Sequence, residues 1–177
     1  MVFVGLLVLL VAQSLAPRRI ETYALGAHDP QPPAPGRTDT VTLDVRDASA
    51  WRYFDLDRGM VLTPPDTQGW DIAARRFQLR VPANAATPAA PAAPAPSAAP
   101  APSAAPAPSA ASPTPSLDLP RWYRYDFLSH LLRPTGLTYQ LRADARDVTL
   151  EVLGYYCPGP TAGCLTFRYT PGAGTPD

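Results

Sequence analysis

Short runs of alternating apolar and polar residues recur along the chain and predict β-strands. Val41, Leu43 and Val45 share one face, with Thr40, Thr42 and Asp44 on the other. From Trp51 to Leu56 the pattern puts Trp51 and Tyr53 on one side and Phe54 and Leu56 on the other. Pro64-Pro65-Asp66 and Gly69 mark a turn, and a strand or short helix starts near Trp70. Phe77, Leu79 and Val81 alternate with Gln78 and Arg80. After a long interruption the same signal returns: an aromatic run from Trp122 to Phe127, then Tyr139 and Leu141, then Val148, Leu150 and Val152, then Leu165, Phe167 and Tyr169. Turn signals at Pro134-Thr135-Gly136 and at Asp144 to Asp147 separate these runs. The expectation is an all-β fold, an antiparallel meander or sandwich-like domain.

Three stretches do not follow this pattern. Residues 2–16 form an apolar helix candidate, about 15 residues and so roughly 22 Å long. That is shorter than the roughly 30 Å hydrocarbon core of a bilayer. A signal peptide competes with a retained anchor. Ser14-Leu15-Ala16 resembles a cleavage site, but Pro17 comes directly after it and no basic region precedes the apolar run. Arg18 and Arg19 could extend an anchor by snorkelling, although by charge alone they favour the cytoplasmic side for the rest of the chain. The adopted expectation is a single-pass membrane anchor over residues 1–17, contacting the bilayer through 2–16, with the domain on the periplasmic side. Residues 18–38, with Pro30, Pro32, Pro33 and Pro35, read as an extended tether. Residues 82–116 are an Ala/Pro/Ser insert, too rich in proline for a regular helix or strand and reaching roughly 100 Å if fully extended. The chain closes on a tail at 172–177.

Neither half of the strand pattern holds enough strands to bury a sizeable core alone. One β-domain formed by 39–81 and 117–171 is therefore expected, with the insert as a long loop. Each doubling of loop length costs only about 0.6 kcal/mol.

Composition narrows the function classes. The chain has 177 residues with 15 basic and 15 acidic side chains, hence no net charge. The basic footprint of a nucleic-acid binder is missing, and no nucleic-acid partner is expected. Every basic side chain other than His28 and His130 is Arg. Cys157 and Cys164, the only cysteines, bracket the turn-like run CPGPTAGC and predict a disulfide in an oxidising compartment. Two cysteines without a nearby His supply only half a tetrahedral metal shell, so no metal site is expected. No enzyme is expected either. Acid–base or nucleophilic chemistry wants a His, Lys or Cys beside an orienting group, and here Lys is absent and the histidines stand alone.

The motif W-x-Y-F-x-L-x-x-G (Trp51, Tyr53, Phe54, Leu56, Gly59), followed by W-D-I-A-x-x-R (Trp70 to Arg76), resembles the HmuY family. The second half agrees, with W-Y-x-Y at Trp122 to Tyr125 and Tyr155-Tyr156 before a Gly-containing turn. The resemblance implies an all-β extracytoplasmic domain, and known members bind haem through paired axial His or Met side chains. This chain departs from that pattern. Outside the tether it has one histidine, His130, and its only internal methionine is Met60. No cysteine follows the apolar N-terminus to accept a lipid.

Two functions are expected on these grounds. In the first, the chain is a non-catalytic accessory subunit of a bacterial membrane complex. It has no cofactor, its partners are membrane protein subunits, and Trp51, Tyr53, Trp70, Trp122 and Tyr123 are its candidate contact residues. A narrower form of this reading is a photosynthetic reaction-centre–light-harvesting complex, although the apolar segment carries no pigment-ligating His. In the alternative, the chain is an HmuY-like haem-binding protein with His130 and Met60 as ligands.

Overall fold

The computed structural model describes Gly5 and residues 20–26, 33–63, 69–87, 116–119, 121–143 and 146–172. The expected anchor helix and most of the Ala/Pro insert lie outside these, as do residues 64–66 and 144–145 of the expected turns. Among the described residues no helix is long and apolar enough to cross a membrane.

The strands are antiparallel, as the alternation predicts. β1 (Asp39–Asp44), β12 (Thr161–Pro171), β11 (Arg146–Cys157), β10 (Thr138–Ala143) and β6 (Ala86–Thr87) form one sheet in that order. β3 (Met60–Leu62), β2 (Arg52–Asp55), β4 (Ile72–Arg75), β5 (Gln78–Pro82) and β7 (Ser116–Asp118) form the second. β8 (Tyr123–Asp126) and β9 (Leu131–Pro134) make a separate two-stranded hairpin.

The two sheets face each other across the alternating apolar positions. Val41, Leu43, Val45, Phe54, Leu165 and Phe167 are all at most 2% exposed. Phe54 of the second sheet meets Phe167 and Tyr169 of the first edge-on, at centroid separations of 5.6 and 5.9 Å. Such aromatic pairs add roughly 0.5–1.5 kcal/mol beyond the area they bury.

The W-D-I-A segment is placed by Asp71. Its buried carboxylate accepts a 2.7 Å hydrogen bond from the Leu56 amide, and its own amide donates to the Phe54 carbonyl at 3.0 Å. These bonds bring Ile72 into register with Phe54. What begins near Trp70 is therefore a strand, β4, rather than a helix.

Pairing crosses the insert. β1 lies along β12 from Asp39↔Tyr169 to Asp44↔Cys164, and β7 lies along β5 from Arg80↔Asp118 to Pro82↔Ser116. Pro82 can close β5 because a strand end tolerates the loss of an N–H donor.

The residues just after the N-terminal stretch form a strap across β11. Tyr23 donates its amide to the Tyr156 carbonyl at 2.8 Å, and Thr22 forms a parallel bridge with Tyr156. β11 is irregular here, with register shifts either side of Gly154. The Tyr23 ring sits where a Gly154 side chain would be, since a Cβ there would fall 2.5 Å from Tyr23 Cε2. Burial, helped by the hydrogen bond from the phenol to Glu21, pushes the Tyr23 phenol up to about 12.

The expected disulfide is present: Cys157 and Cys164 are bonded across the turn that joins β11 to β12. In the chain-entropy model, closing a loop of about eight residues is worth roughly 2.5 kcal/mol. Cys157→Ser with Cys164→Ser is therefore expected to lower unfolding free energy by about that amount, read as a lower urea midpoint with the β-sheet circular dichroism retained. Gly154→Ala should lift Tyr23 off β11. The check is limited chymotrypsin digestion, with cleavage after Tyr23 faster in the variant than in the parent chain.

Candidate functional site

The aromatic residues singled out by the sequence take different places. Trp122 is 2% exposed and part of the core, and its indole N–H donates to the Phe77 carbonyl at 3.0 Å. Tyr123 is half-buried, with its ring edge-on to Trp122 and to Phe77. Tyr53 and Trp70 are half-buried and pack edge-on to each other at 5.7 Å. Trp51, also half-buried, has the guanidiniums of Arg75 and Arg80 over its ring, each 4.6 Å from the centroid. Arg80 also pairs with Asp118 at 2.6 Å. The Arg80–Asp118 pair spans the join between β5 and β7.

The candidate haem ligands stand on different elements. Met60 opens β3, half-buried and paired with Asp55. His130 closes the four-residue turn, 127–130, at the tip of the β8–β9 hairpin and is exposed. Among the described residues no cluster of three His, Cys, Asp or Glu side chains could hold a metal ion.

The hairpin tip is the most distinctive exposed feature. Phe127 is 80% exposed and Leu128 is 88% exposed, against 38–48% for the other large apolar side chains on the surface. Two apolar side chains so far out of the protein point to a contact surface. Asp126 builds the turn beneath them. Its Oδ1 accepts from the amides of Leu128 at 3.1 Å and Ser129 at 3.4 Å, while Oδ2 accepts from Arg133 Nε at 3.3 Å. The Ser129 side-chain hydrogen bond, followed by these amides and Arg133, pulls the Asp126 carboxyl down to about 2.

His130 has a left-handed backbone, φ 55°. That conformation costs a residue with a side chain on the order of 1 kcal/mol or more, and histidine is among the types that adopt it most often. It sets the imidazole against Tyr125, whose hydroxyl lies 2.7 Å from Nδ1. When Nδ1–H donates to the phenol oxygen, Nε2 keeps the lone pair that a metal takes. Tyr125 in turn packs edge-on against Phe127 at 5.0 Å. An oriented nitrogen donor therefore sits beside an apolar ledge. Sequence reasoning picked out His130 but not Phe127 and Leu128. The spacing of Asp126 and Ser129, an acidic residue capping a turn three residues on, was the available signal.

The hairpin rests on the sandwich through Leu131, Leu132 and Tyr123, and the Leu132 amide donates to the Tyr156 hydroxyl at 2.8 Å. A cavity of about 290 Å³ between hairpin and strap is lined by Ile20, Leu131, Leu132, Arg133, Gly154 and Tyr155, among others.

The low carboxyl value gives the turn a pH dependence. Asp126 holds the tip fully above its ordinary value near 3.8, and that contribution fades as pH falls through about 2. Protection of the Leu128 and Ser129 amides, measured against the intrinsic exchange rate at each pH, should fall over that acid range, and Asp126→Asn should show the lower protection already at pH 6.

No protein-family model matches the sequence, and no curated protein is similar to it. Solved structures are similar. A proposed lipoprotein from Bacteroides fragilis aligns with a TM-score of 0.51 and 16% identity, over 76% of this chain and 89% of its own. A proposed HmuY-like heme-binding protein from Bacteroides vulgatus aligns with a TM-score of 0.50 and 14% identity, over 76% of this chain and 91% of its own. At this level of identity the likeness is one of fold, and the fold of the described residues is HmuY-like.

Proposed function

We propose that the chain is a non-catalytic, extracytoplasmic binding domain, and that it binds haem through the β8–β9 hairpin, where His130 would hold the iron. The oriented imidazole at the exposed tip, with Nδ1 held by Tyr125, carries this reading. A hydrogen bond to the non-ligating ring nitrogen fixes the ring and raises its basicity towards a metal. Phe127 and Leu128 give an apolar bed for a porphyrin face, and Arg124 on β8 gives a cation for its carboxylates. Haem would supply the iron; in this reading the chain supplies one nitrogen ligand, His130, and Met60 on β3 is not required. The similar HmuY-like protein, described as heme-binding, supports the reading, as does the disulfide, which suits an oxidising compartment.

A second reading is favoured by the apolar residues 2–16 together with the exposed tip: an accessory subunit anchored in the membrane beside partner proteins. Its narrower form, a subunit of a photosynthetic reaction-centre–light-harvesting complex, gains no support from the similar structures.

Haemin titration followed at the Soret band separates the two. Under the haem reading His130→Ala abolishes the band shift, Tyr125→Phe weakens binding about 10–100-fold, and Met60→Ala leaves it unchanged. A His130→Ala chain that binds haemin like its parent overturns the haem reading. Under the accessory reading that substitution leaves the set of co-purifying membrane proteins as it was.

A further inference from the structure

The strap runs across the domain from one landmark to another. At one end Ile20 lines the same cavity as Leu131 and Leu132 of β9. At the other, Leu25 shares a surface groove with Val61 of β3. Five extended residues separate these ends by about 16 Å. The chain therefore enters the domain beside the hairpin and not beside β3. Only Pro17, Arg18 and Arg19 lie between Ile20 and the apolar stretch 2–16. From Ile20, beside the hairpin, the apolar stretch is only four residue steps away in the chain, at most about 14 Å.

From this juxtaposition we infer that the tip of the β8–β9 hairpin, Phe127 and Leu128, inserts into the lipid surface next to the N-terminal apolar segment. The inference rests on reading residues 2–16 as retained in the bilayer, and it does not depend on what His130 binds. Two large apolar side chains at the crest of a tight turn suit shallow burial among headgroups and upper acyl chains, as interfacial apolar residues do. The turn supports them without exposing unpaired amides, since Asp126 accepts from the Leu128 and Ser129 N–H groups. Exposed Arg121 and Arg124, close to the hairpin in sequence, suit lipid phosphates. Lipid is favoured over a protein partner because the stretch four residue steps before Ile20, which lies beside the hairpin, is itself apolar and lipid-seeking by sequence. Lipid and a porphyrin would compete for Phe127 and Leu128, so the membrane-bound chain is expected to take up haemin less readily than the chain free of vesicles.

The test uses the full chain, reconstituted into vesicles of phosphatidylcholine and phosphatidylglycerol. A nitroxide is placed at the tip through Leu128→Cys, and at the far end of the strap through Val61→Cys. Power saturation compares collisions with oxygen, which concentrates in lipid, and with a water-soluble nickel chelate. At position 128 oxygen is expected to dominate, at position 61 nickel. Adding Phe127→Asp to the Leu128→Cys chain should reverse the order at the tip, with circular dichroism checking that the fold is kept. Nickel dominating at 128 in the parent overturns the inference, and so does a label shielded from both reagents, which would mean protein covers the tip. A full chain that fails to float with vesicles refutes the retained anchor itself. The haemin titration is run on the chain without vesicles and turns on His130, while the vesicle test turns on positions 127 and 128, so the two readings fail separately.

Discussion

The edge-on contact of Phe54 with Phe167 and Tyr169 is the interaction on which the rest of the structure depends. Phe54 belongs to the first half of the chain and its two partners to the last strand, with the Ala/Pro insert between them. The contact joins the two sheets, and it can form only if the chain closes over that insert. The closure cost grows with the logarithm of loop length, so a long insert adds little to it. The β1–β12 ladder, six residue pairs long, provides a second tie across the same gap. An insert of this kind therefore persists without weakening the sandwich.

The parts of the fold legible in the sequence are those where period two coincides with burial on one face. β10 is the clearest example, with Tyr139, Leu141 and Ala143 buried and Thr138, Gln140 and Arg142 exposed, whereas in β12 Thr166 is buried as fully as Leu165 and Phe167. In β2, Phe54 is buried and Tyr53 is not, as the alternation required. The short strands at the borders of the insert were not legible. β6 and β7 have two and three residues, and they borrow their pairing from β10 and β5 rather than from any pattern of their own. The strap escaped for a related reason. Its hold on β11 comes from a backbone bond and from the space left by Gly154, and neither leaves a periodic trace.

The site was partly legible. His130 could be named as the single histidine of the β-domain, but its meaning depends on Tyr125 lying 2.7 Å away across the hairpin. The aromatic residues drew attention by type alone. Trp122 shows the difficulty, because an indole suited by chemistry to an interface is here sealed in the core with its N–H satisfied by Phe77. Exposure is a tertiary property. Phe127 and Leu128 sit in an aromatic-rich run that reads as core, and only the four-residue turn carries them outward.

The position of the hairpin lets residues at its tip change at little cost to the fold. β8 and β9 pair only with each other, and they reach the core through a few half-buried side chains: Tyr123, Leu131 and Leu132. A substitution at 127–130 meets solvent, so it creates no cavity and strands no buried polar group; surface changes of that kind usually shift stability by less than about 0.5 kcal/mol. A ligand placed inside the sandwich would have to displace Phe54, Phe167 or Tyr169, and with them the contact that joins the halves. The structure therefore separates two demands. The sheets hold a buried aromatic core, while the hairpin, positioned by the Leu132–Tyr156 bond and flanked by the strap, presents Phe127, Leu128 and His130 to solvent without drawing on that core.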